Sequence, residues 1–306
     1  MGAAFARAER AAARIGRFWY NRAMSHDMKD DPAAAARPCC LTIAGSDSGG
    51  NAGVQADLRA FHAYGLHGCT VFAALTAQNP FSVSAICPVP ADFVAAQLDA
   101  VLGVYSIAAL KTGMLADPAA IEAVADRLAR HPEIAKVIDP VMVATSGARL
   151  VSADATEAIT ERLVPLATLI TPNLPEAEAL CGAEPGGEAR LGDASKAREL
   201  AKRINGRFGC AVLVKGGHGS DESAVDVLFD GREFREFSLP WVKNPVSTHG
   251  TGCTLAAALA AELALGRNLA DAVAGAKRHV HRAISKAYLV GRGCGVLGFS
   301  GPGNLV

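Results

Sequence analysis

The stretch LTIAGSDSGGNAGVQADLRAFHAY, residues 41–64, decides the fold. It begins with a short apolar run at residues 41–44, which predicts a buried strand. Four glycines follow within residues 45–53 and predict a loop. Residues 52–64 then return to an amphipathic pattern, which predicts a helix. A strand, a glycine-rich loop and a helix in this order indicate the repeating unit of an α/β protein.

The same alternation continues along the chain. Further strands are predicted at residues 69–75, 107–111, 136–138, 169–171 and 211–214. Further helices are predicted at residues 92–102, 119–130, 155–163, 194–208, 250–265 and 269–289. Residues 224–229 and 233–239, separated by Asp230-Gly231, predict an antiparallel hairpin. The pattern therefore indicates an α/β fold with a mainly parallel central sheet, helices on both faces and a small hairpin at one edge.

Composition excludes several classes of function. The 306 residues include 30 lysines and arginines and 30 acidic residues, and this balance argues against a broad nucleic-acid surface. No apolar run approaches the roughly 18 residues that a membrane span needs, so no membrane partner is expected. The eight cysteines form no CxxC pair, and a chain of this length with no secretory signal favours reduced cysteines in the cytoplasm.

The first 37 residues differ from the rest in composition. Up to Met24 they contain five arginines against a single acidic residue, Glu9, which is compatible with a transit peptide. The alternative is a dispensable extension, with Met24 or Met28 able to serve as a start. The alanine-rich stretch around Asp30 is typical of a linker. We therefore expect residues 1–37 to be a disordered extension, and we expect residues 38–306 to form one domain.

The segment STHGTGCT, residues 247–254, is the strongest candidate for a site of chemistry. Its two glycines allow a sharp turn, and the predicted helix that follows presents free N–H groups and a positive dipole end to an anion. A cysteine at this position, Cys253, is expected to have a lowered pKa. The alternative is an ordinary turn into a helix, in which Cys253 only packs.

Seven segments together resemble one family of enzymes. They are THGTGCT (248–254), TIAGSDSGGNAGVQAD (42–57), TAQN (76–79), KTGML (111–115), DPVM (139–142), TPNLPEAE (171–178) and VKGGH (214–218). Their order along the chain and the spacing between them resemble those of the hydroxymethylpyrimidine/phosphomethylpyrimidine kinases of thiamine biosynthesis, which belong to the ribokinase-like superfamily. The resemblance extends from about residue 40 to residue 290. It implies ATP as co-substrate, Mg²⁺ as cofactor and a homodimer.

The resemblance also implies which residues bind the substrate. The Gln78 amide can donate to and accept from an aminopyrimidine ring, although a solvated loop glutamine is the alternative. Small or soft side chains would flank the flat ring, although Met114 alone would suit a core equally well. Asp57 is included as a pocket polar group, with a solvated helix face as its alternative. The implied substrate contacts are Gly45, Ala52, Asp57, Gln78, Met114 and Val141.

A second set of residues is implied for catalysis, ATP and the metal. Cys253 would be the base within the cradle of Gly250 and Gly252, and Thr251, Asn173 and Lys215 would bind ATP. Glu176 and Asp139 would lie at the Mg²⁺ site, since carboxylates suit this ion. Glu176 could instead only favour the start of a helix.

The predicted reaction is phosphorylation of 4-amino-5-hydroxymethyl-2-methylpyrimidine and of its monophosphate. The second step is implied by the resemblance alone. One alternative is a pyridoxal or pyridoxine kinase, whose substrates also carry a hydroxymethyl arm on a flat ring. Another is a non-catalytic pyrimidine-binding regulator.

Overall fold

The strand predicted at residue 41 lies within a large twisted sheet. The computed structural model describes residues 38–142, 151–182, 194–216 and 223–299. In this part of the chain the main sheet has nine strands, in the order β3-β2-β1-β4-β5-β6-β7-β8-β9. These are β1 (Cys39–Asp47), β2 (His67–Asn79), β3 (Ser82–Pro88), β4 (Ile107–Thr112), β5 (Ala135–Ile138), β6 (Leu169–Ile170), β7 (Ala211–Val214), β8 (Ser223–Phe229) and β9 (Phe234–Pro240).

Six central strands are parallel, as predicted; in sheet order they are β2, β1, β4, β5, β6 and β7. β8 and β9 form the predicted antiparallel edge hairpin. A second antiparallel pair was not predicted; β2 continues to Asn79 and pairs antiparallel with β3 at the opposite edge. The Asn79 side chain accepts hydrogen bonds from the Phe81 and Ser82 N–H groups and so closes this turn.

Helices cover both faces of the sheet, as predicted. They are α1 (Gly53–Ala63), α2 (Ala91–Leu102), α3 (Pro118–Leu128), α4 (Ala153–Ala158), α5 (Leu174–Leu180), α6 (Ala194–Phe208), α7 (Thr251–Ala264) and α8 (Leu269–Ser285). Strand side chains alternate between two cores. Leu41 and Ile43 pack with α2 to α6, whereas Cys40, just before Leu41, packs with α1, α7 and α8.

Two helices differ from the prediction at their ends. The helix predicted over residues 269–289 ends at Ser285, and two further strands, β10 (Tyr288–Val290) and β11 (Cys294–Val296), form a separate ribbon. Gly291 and Gly293 both have positive φ and allow the turn between them. The helix predicted over residues 155–163 is an α-helix only up to Ala158, where α4 ends. It continues as a π-helical turn over Ile159–Leu163.

The expectations for residues 1–37 lie outside the described residues. Among the described residues, no helix combines the length and the apolar character needed to cross a bilayer.

Candidate active site

The carboxyl ends of the parallel strands open into a cavity of about 1150 Å³. Parallel strands place their carboxyl ends at one side of the sheet, where ligands of open α/β folds bind. The start of α7 and the loop after β1 also line the cavity. Its lining combines both predicted groups of residues, including Gly45, Gln78, Met114, Lys215, Gly250 and Cys253.

The start of α7 has the geometry expected of an anion cradle. Gly250 is the N-cap of α7 and has a φ of 83°, which favours glycine. A Cβ at Gly250 would lie 1.9 Å from the Asn51 carbonyl oxygen, so the two loops touch through their backbones. Thr251, Gly252 and Cys253 then form the first helical turn, whose N–H groups precede the regular helical hydrogen bonds.

Sequence reasoning missed Asp47, which organises the glycine-rich loop beside this cradle. Its buried carboxylate accepts hydrogen bonds from the N–H groups of Gly49, Asn51 and Ala52 at 2.8–2.9 Å. His249 lies on the other side, with Nε2 3.7 Å from Asp47 Oδ2. Burial would raise the pKa of Asp47, but His249 and the three N–H groups outweigh it, and the pKa is lowered. An aspartate followed by two glycines was the available signal, since aspartate favours such turns.

Five of the six predicted pyrimidine contacts lie at the cavity wall. Gly45, Ala52, Gln78, Met114 and Val141 all line it. A Cβ at Gly45 would lie 2.5 Å from Met114 Cε, so a larger residue would displace that side chain. Gln78 Oε1 accepts a hydrogen bond from Thr76 Oγ1 at 3.2 Å, which orients the amide at the cavity wall.

Asp57 does not belong to this group, and its prediction as a pocket residue was wrong. Its side chain is completely buried, and it is absent from the cavity lining. Lys111 Nζ lies 2.9 and 3.0 Å from the two carboxylate oxygens, and Thr42 Oγ1 donates to Oδ2 at 2.6 Å. Asp57 therefore binds Lys111 rather than a ligand.

Lys215 joins the two predicted metal ligands. Its Nζ lies 3.0 Å from Asp139 Oδ1 and 3.7 Å from Glu176 Oε2. Burial alone would lower the pKa of Lys215, but the two carboxylates raise it, so the ammonium is charged. A Cβ on Gly252 would lie 3.8 Å from Nζ, which places this charge beside the α7 cradle.

Asn173 and Glu176 begin α5 as a capping box. Asn173 Oδ1 accepts from the Glu176 N–H, and Glu176 Oε2 accepts from the Asn173 N–H. The helix-start alternative for Glu176 is therefore realised. Glu176 also lines the cavity, and burial raises the pKa of its carboxyl. Its side chain can serve the helix and face a ligand at the same time.

The residues present fit a hydrated Mg²⁺ ion. Asp139 and Glu176 place two carboxyl groups around the single ammonium of Lys215 at the cavity wall. Mg²⁺ keeps several waters and needs only one or two protein carboxylates beside phosphate oxygens. Among the described residues there is no cluster of three or more metal-ligating side chains, so any metal here would depend on waters and phosphates.

The expected low pKa of Cys253 was wrong. Burial raises the pKa of the Cys253 thiol, and the nearby carboxylates of Asp57 and Asp139 raise it further. Lys111 and the Gly53 N–H act in the opposite direction but do not outweigh burial. The position at a helix start is therefore not sufficient to make this cysteine a thiolate.

Comparison with known proteins places this geometry in a family. A model of phosphomethylpyrimidine kinase matches residues 47–298. The hydroxymethylpyrimidine/phosphomethylpyrimidine kinase of Rhizobium meliloti is 46% identical over 247 residues, which cover 81% of this chain and 90% of the relative. The thiamine biosynthesis bifunctional protein ThiED of Geobacter sulfurreducens is 47% identical over 259 residues, 85% of this chain, but the match spans only 51% of that relative.

Solved structures agree with this result. The ADP complex of Bacillus subtilis pyridoxal kinase has a TM-score of 0.78 and 35% identity, over 87% of this chain and 98% of that one. The phosphomethylpyrimidine kinase of Clostridium difficile 630 has a TM-score of 0.70 and 35% identity, over 81% of this chain and all of that one. The predicted ribokinase-like fold is thereby confirmed.

Proposed function

Because the chain belongs to the phosphomethylpyrimidine kinase family, we propose that it phosphorylates 4-amino-5-hydroxymethyl-2-methylpyrimidine and then the resulting monophosphate, with ATP as phosphate donor. One observation carries the proposal. A single cavity is lined both by the proposed ring contacts Gln78 and Met114 and by the α7 cradle with Lys215. An acceptor alcohol and a phosphate donor can therefore meet in one site.

The substrate end of the cavity suits a flat aminopyrimidine. The Gln78 amide offers both a donor and an acceptor, and Thr76 fixes its orientation. Gly45 leaves space that any side chain would fill, and Met114 packs against that space. The hydroxymethyl arm would then point towards Cys253 and the α7 cradle.

Phosphoryl transfer would take place at the start of α7. The hydroxyl oxygen forms a bond to the γ-phosphorus while the bond from that phosphorus to the leaving oxygen of ADP breaks. The N–H groups of residues 250–253 and the Lys215 ammonium stabilise the charge on the transferring group. The thiolate of Cys253, which is the minor form of this residue because its pKa is raised, accepts the hydroxyl proton and becomes the neutral thiol. Because burial raises the pKa of that thiol, positioning and charge stabilisation supply the larger part of the rate acceleration.

Mg²⁺, when bound, would neutralise phosphate charge. Asp139 and Glu176 would hold it through their carboxylates and hydration waters. Lys215, held between the same carboxylates, keeps its charge beside the phosphates.

A pyridoxal kinase activity is the second candidate. The observation in its favour is the structural similarity to a pyridoxal kinase at a TM-score of 0.78. A pyridine alcohol presents the same flat ring and hydroxymethyl arm to the cavity.

The test is product formation by the purified protein with Mg·ATP and each alcohol. We expect the pyrimidine to give a monophosphate and then a diphosphate, with a higher kcat/KM than pyridoxine. Cys253→Ala should reduce kcat by roughly 10²–10⁴ and leave ATP binding intact, as expected for loss of a general base. ATP-independent binding of the pyrimidine without any product would instead indicate a regulator, and preference for pyridoxine would favour the second candidate.

Three broader features belong to the same proposal. The kinase domain would span residues 38–306, which include the family match at 47–298, with residues 1–37 as a dispensable extension. A cytoplasmic location would suit the eight cysteines, which form no CxxC pair. A homodimer would cover apolar side chains such as Leu75 and Phe81, which are 49% and 71% exposed on the β2–β3 hairpin.

A further inference from the structure

The cavity wall contains a buried ion pair that has no part in the proposed reaction. Lys277 on α8 places its Nζ 2.6 Å from Oδ2 of Asp226 on β8. Only 8% of Lys277 and 5% of Asp226 is exposed, and both residues line the cavity. Removing two charges from water is costly, and an apolar pair of similar volume would often stabilise a core equally well. The pair therefore calls for an explanation in terms of the site rather than of the core.

The second oxygen of Asp226 leads to the chain just after Lys215. The Gly216 N–H group donates a hydrogen bond to Asp226 Oδ1 at 3.0 Å. A Cβ on Gly216 would lie 1.8 Å from the Val225 carbonyl oxygen, so the backbone at residue 216 lies directly against β8. Asp226 thus connects α8, through Lys277, to the end of β7.

The backbone of Lys215 is held from the opposite side as well. Its N–H group donates to the Pro172 carbonyl oxygen at 2.9 Å, and the residue forms a parallel β-bridge with Asn173. The hydrogen bond from Gly216 to Asp226 fixes the next peptide from the β8 side. Contacts on both sides therefore set the direction in which the Lys215 side chain leaves the sheet.

We propose that Asp226 is a positioning residue for the binding of ATP. Held by Lys277, its carboxylate fixes Gly216, and the fixed backbone directs the Lys215 ammonium towards the phosphates. A cationic side chain on a fixed backbone binds its ligand more tightly, because less freedom is lost on binding. The inference rests on the proposed function only in that Lys215 binds ATP, and it requires neither Cys253 nor the pyrimidine.

The test is a calorimetric titration with Mg·ATP, in the absence of any alcohol, of two double variants that both lack the ion pair. Asp226→Asn/Lys277→Met keeps a side-chain oxygen that can accept from the Gly216 N–H group, whereas Asp226→Ala/Lys277→Met removes this acceptor. We expect the Kd for Mg·ATP to be about tenfold higher in the alanine variant than in the asparagine variant, the order of change that a lost hydrogen bond produces.

Turnover provides a second measurement that a purely structural role would not change selectively. In the alanine variant the KM for ATP should rise by about the same factor, relative to the asparagine variant, while the KM for the pyrimidine alcohol stays constant. If the alanine variant does not fold, Asp226→Leu/Lys277→Met takes its place, since leucine fills a similar volume and also lacks an acceptor.

The chain offers a matched control on the same strand. Leu228 lies two residues beyond Asp226, on the same face of β8, and is 1% exposed. Leu228→Ala should lower the thermal stability, because it removes buried apolar volume, but should leave the Kd for Mg·ATP unchanged. If ATP affinity instead falls in step with thermal stability in all these variants, the effect is a general loosening of the fold and the proposal is overturned.

The remaining outcomes separate this inference from the proposed function. Equal Kd values for Mg·ATP in the folded asparagine variant and in a folded variant without the acceptor would overturn the role of Asp226. A protein that binds Mg·ATP with the expected difference between the variants, but does not phosphorylate the pyrimidine, would overturn only the proposed function. If the unmodified protein does not bind Mg·ATP, both are overturned.

Discussion

Asp47 shows how one side chain can shape two neighbouring loops. Its carboxylate accepts hydrogen bonds from three backbone N–H groups of the glycine-rich loop. His249, in the loop before α7, lies close to the same carboxylate. The Asn51 carbonyl of the same loop touches Gly250 in the cradle. A change at Asp47 should therefore affect both the glycine-rich loop and the start of α7.

Asp47→Asn tests this connection. The side-chain amide of the asparagine would place its own N–H donors next to the backbone N–H groups that now donate to the carboxylate. We therefore expect the free energy of unfolding to fall by about 1–3 kcal/mol. The KM for the pyrimidine should rise. Because the folded state lowers the pKa of Asp47, the carboxylate contributes stability above its unfolded pKa, and this stability is lost as the pH falls through the folded pKa. The variant should thus lose less stability than the unmodified protein during acid titration in urea. Asp92→Asn, at an exposed carboxylate, is the control and should change neither quantity appreciably.

At the scale of elements, the start of α5 carries two functions that can be separated. The capping box needs an acceptor at residue 176 but not a charge, whereas the proposed Mg²⁺ site needs the charge. The sequence left these two interpretations of Glu176 open, and the structure allows both at once.

Glu176→Gln and Asn173→Ala should separate the two functions. The glutamine keeps an acceptor for the Asn173 N–H, so thermal stability should change little, while the Mg²⁺ concentration for half-maximal turnover should rise severalfold. Asn173→Ala removes the cap and should cost about 1 kcal/mol of stability. Wild-type Mg²⁺ dependence in a folded Glu176→Gln protein would remove this carboxylate from the metal site.

The sequence predicted elements best where their side chains are buried on a regular face. β7 and α6 begin and end at the predicted residues. Their apolar runs and amphipathic spacing indicate which residues face the core, and therefore where each element begins and ends. β3 was missed because its side chains are mostly exposed and carry no such pattern. The end of α8 was misplaced because Tyr288 and Leu289 continue an apolar pattern but are exposed on a ribbon.

At the scale of the whole molecule, the motifs predicted residues that line one cavity, whereas the electrostatics of that cavity were not predicted. Gln78, Lys215 and Cys253 line one cavity, as loops at the carboxyl ends of parallel strands require. The pairing of Asp57 with Lys111 and the raised pKa of Cys253 depend on burial and on neighbours distant in sequence. Local patterns carry no information about such three-dimensional surroundings.

A last prediction concerns the acid stability of the folded chain. His279 on α8 lies against the ring of Tyr64 at 5.0 Å and that of Phe299 at 5.9 Å, so it joins three distant parts of the chain. Its Nε2 is buried without a hydrogen-bond partner among the described residues. Burial, helped by Arg282, lowers the pKa of His279 to about 4.

Folding therefore requires a neutral imidazole at this position. Between about pH 6.5, where an unfolded histidine titrates, and pH 4, the unfolded chain binds a proton that the folded chain excludes. Stability should fall across this window by on the order of 2–3 kcal/mol from His279 alone. His279→Phe, which suits the aromatic neighbours, should flatten the pH dependence of urea unfolding in this window, whereas His62→Gln at an exposed position should not. If His279→Phe and the unmodified protein lose stability in parallel from pH 7 to pH 4, the buried imidazole is not a source of acid sensitivity.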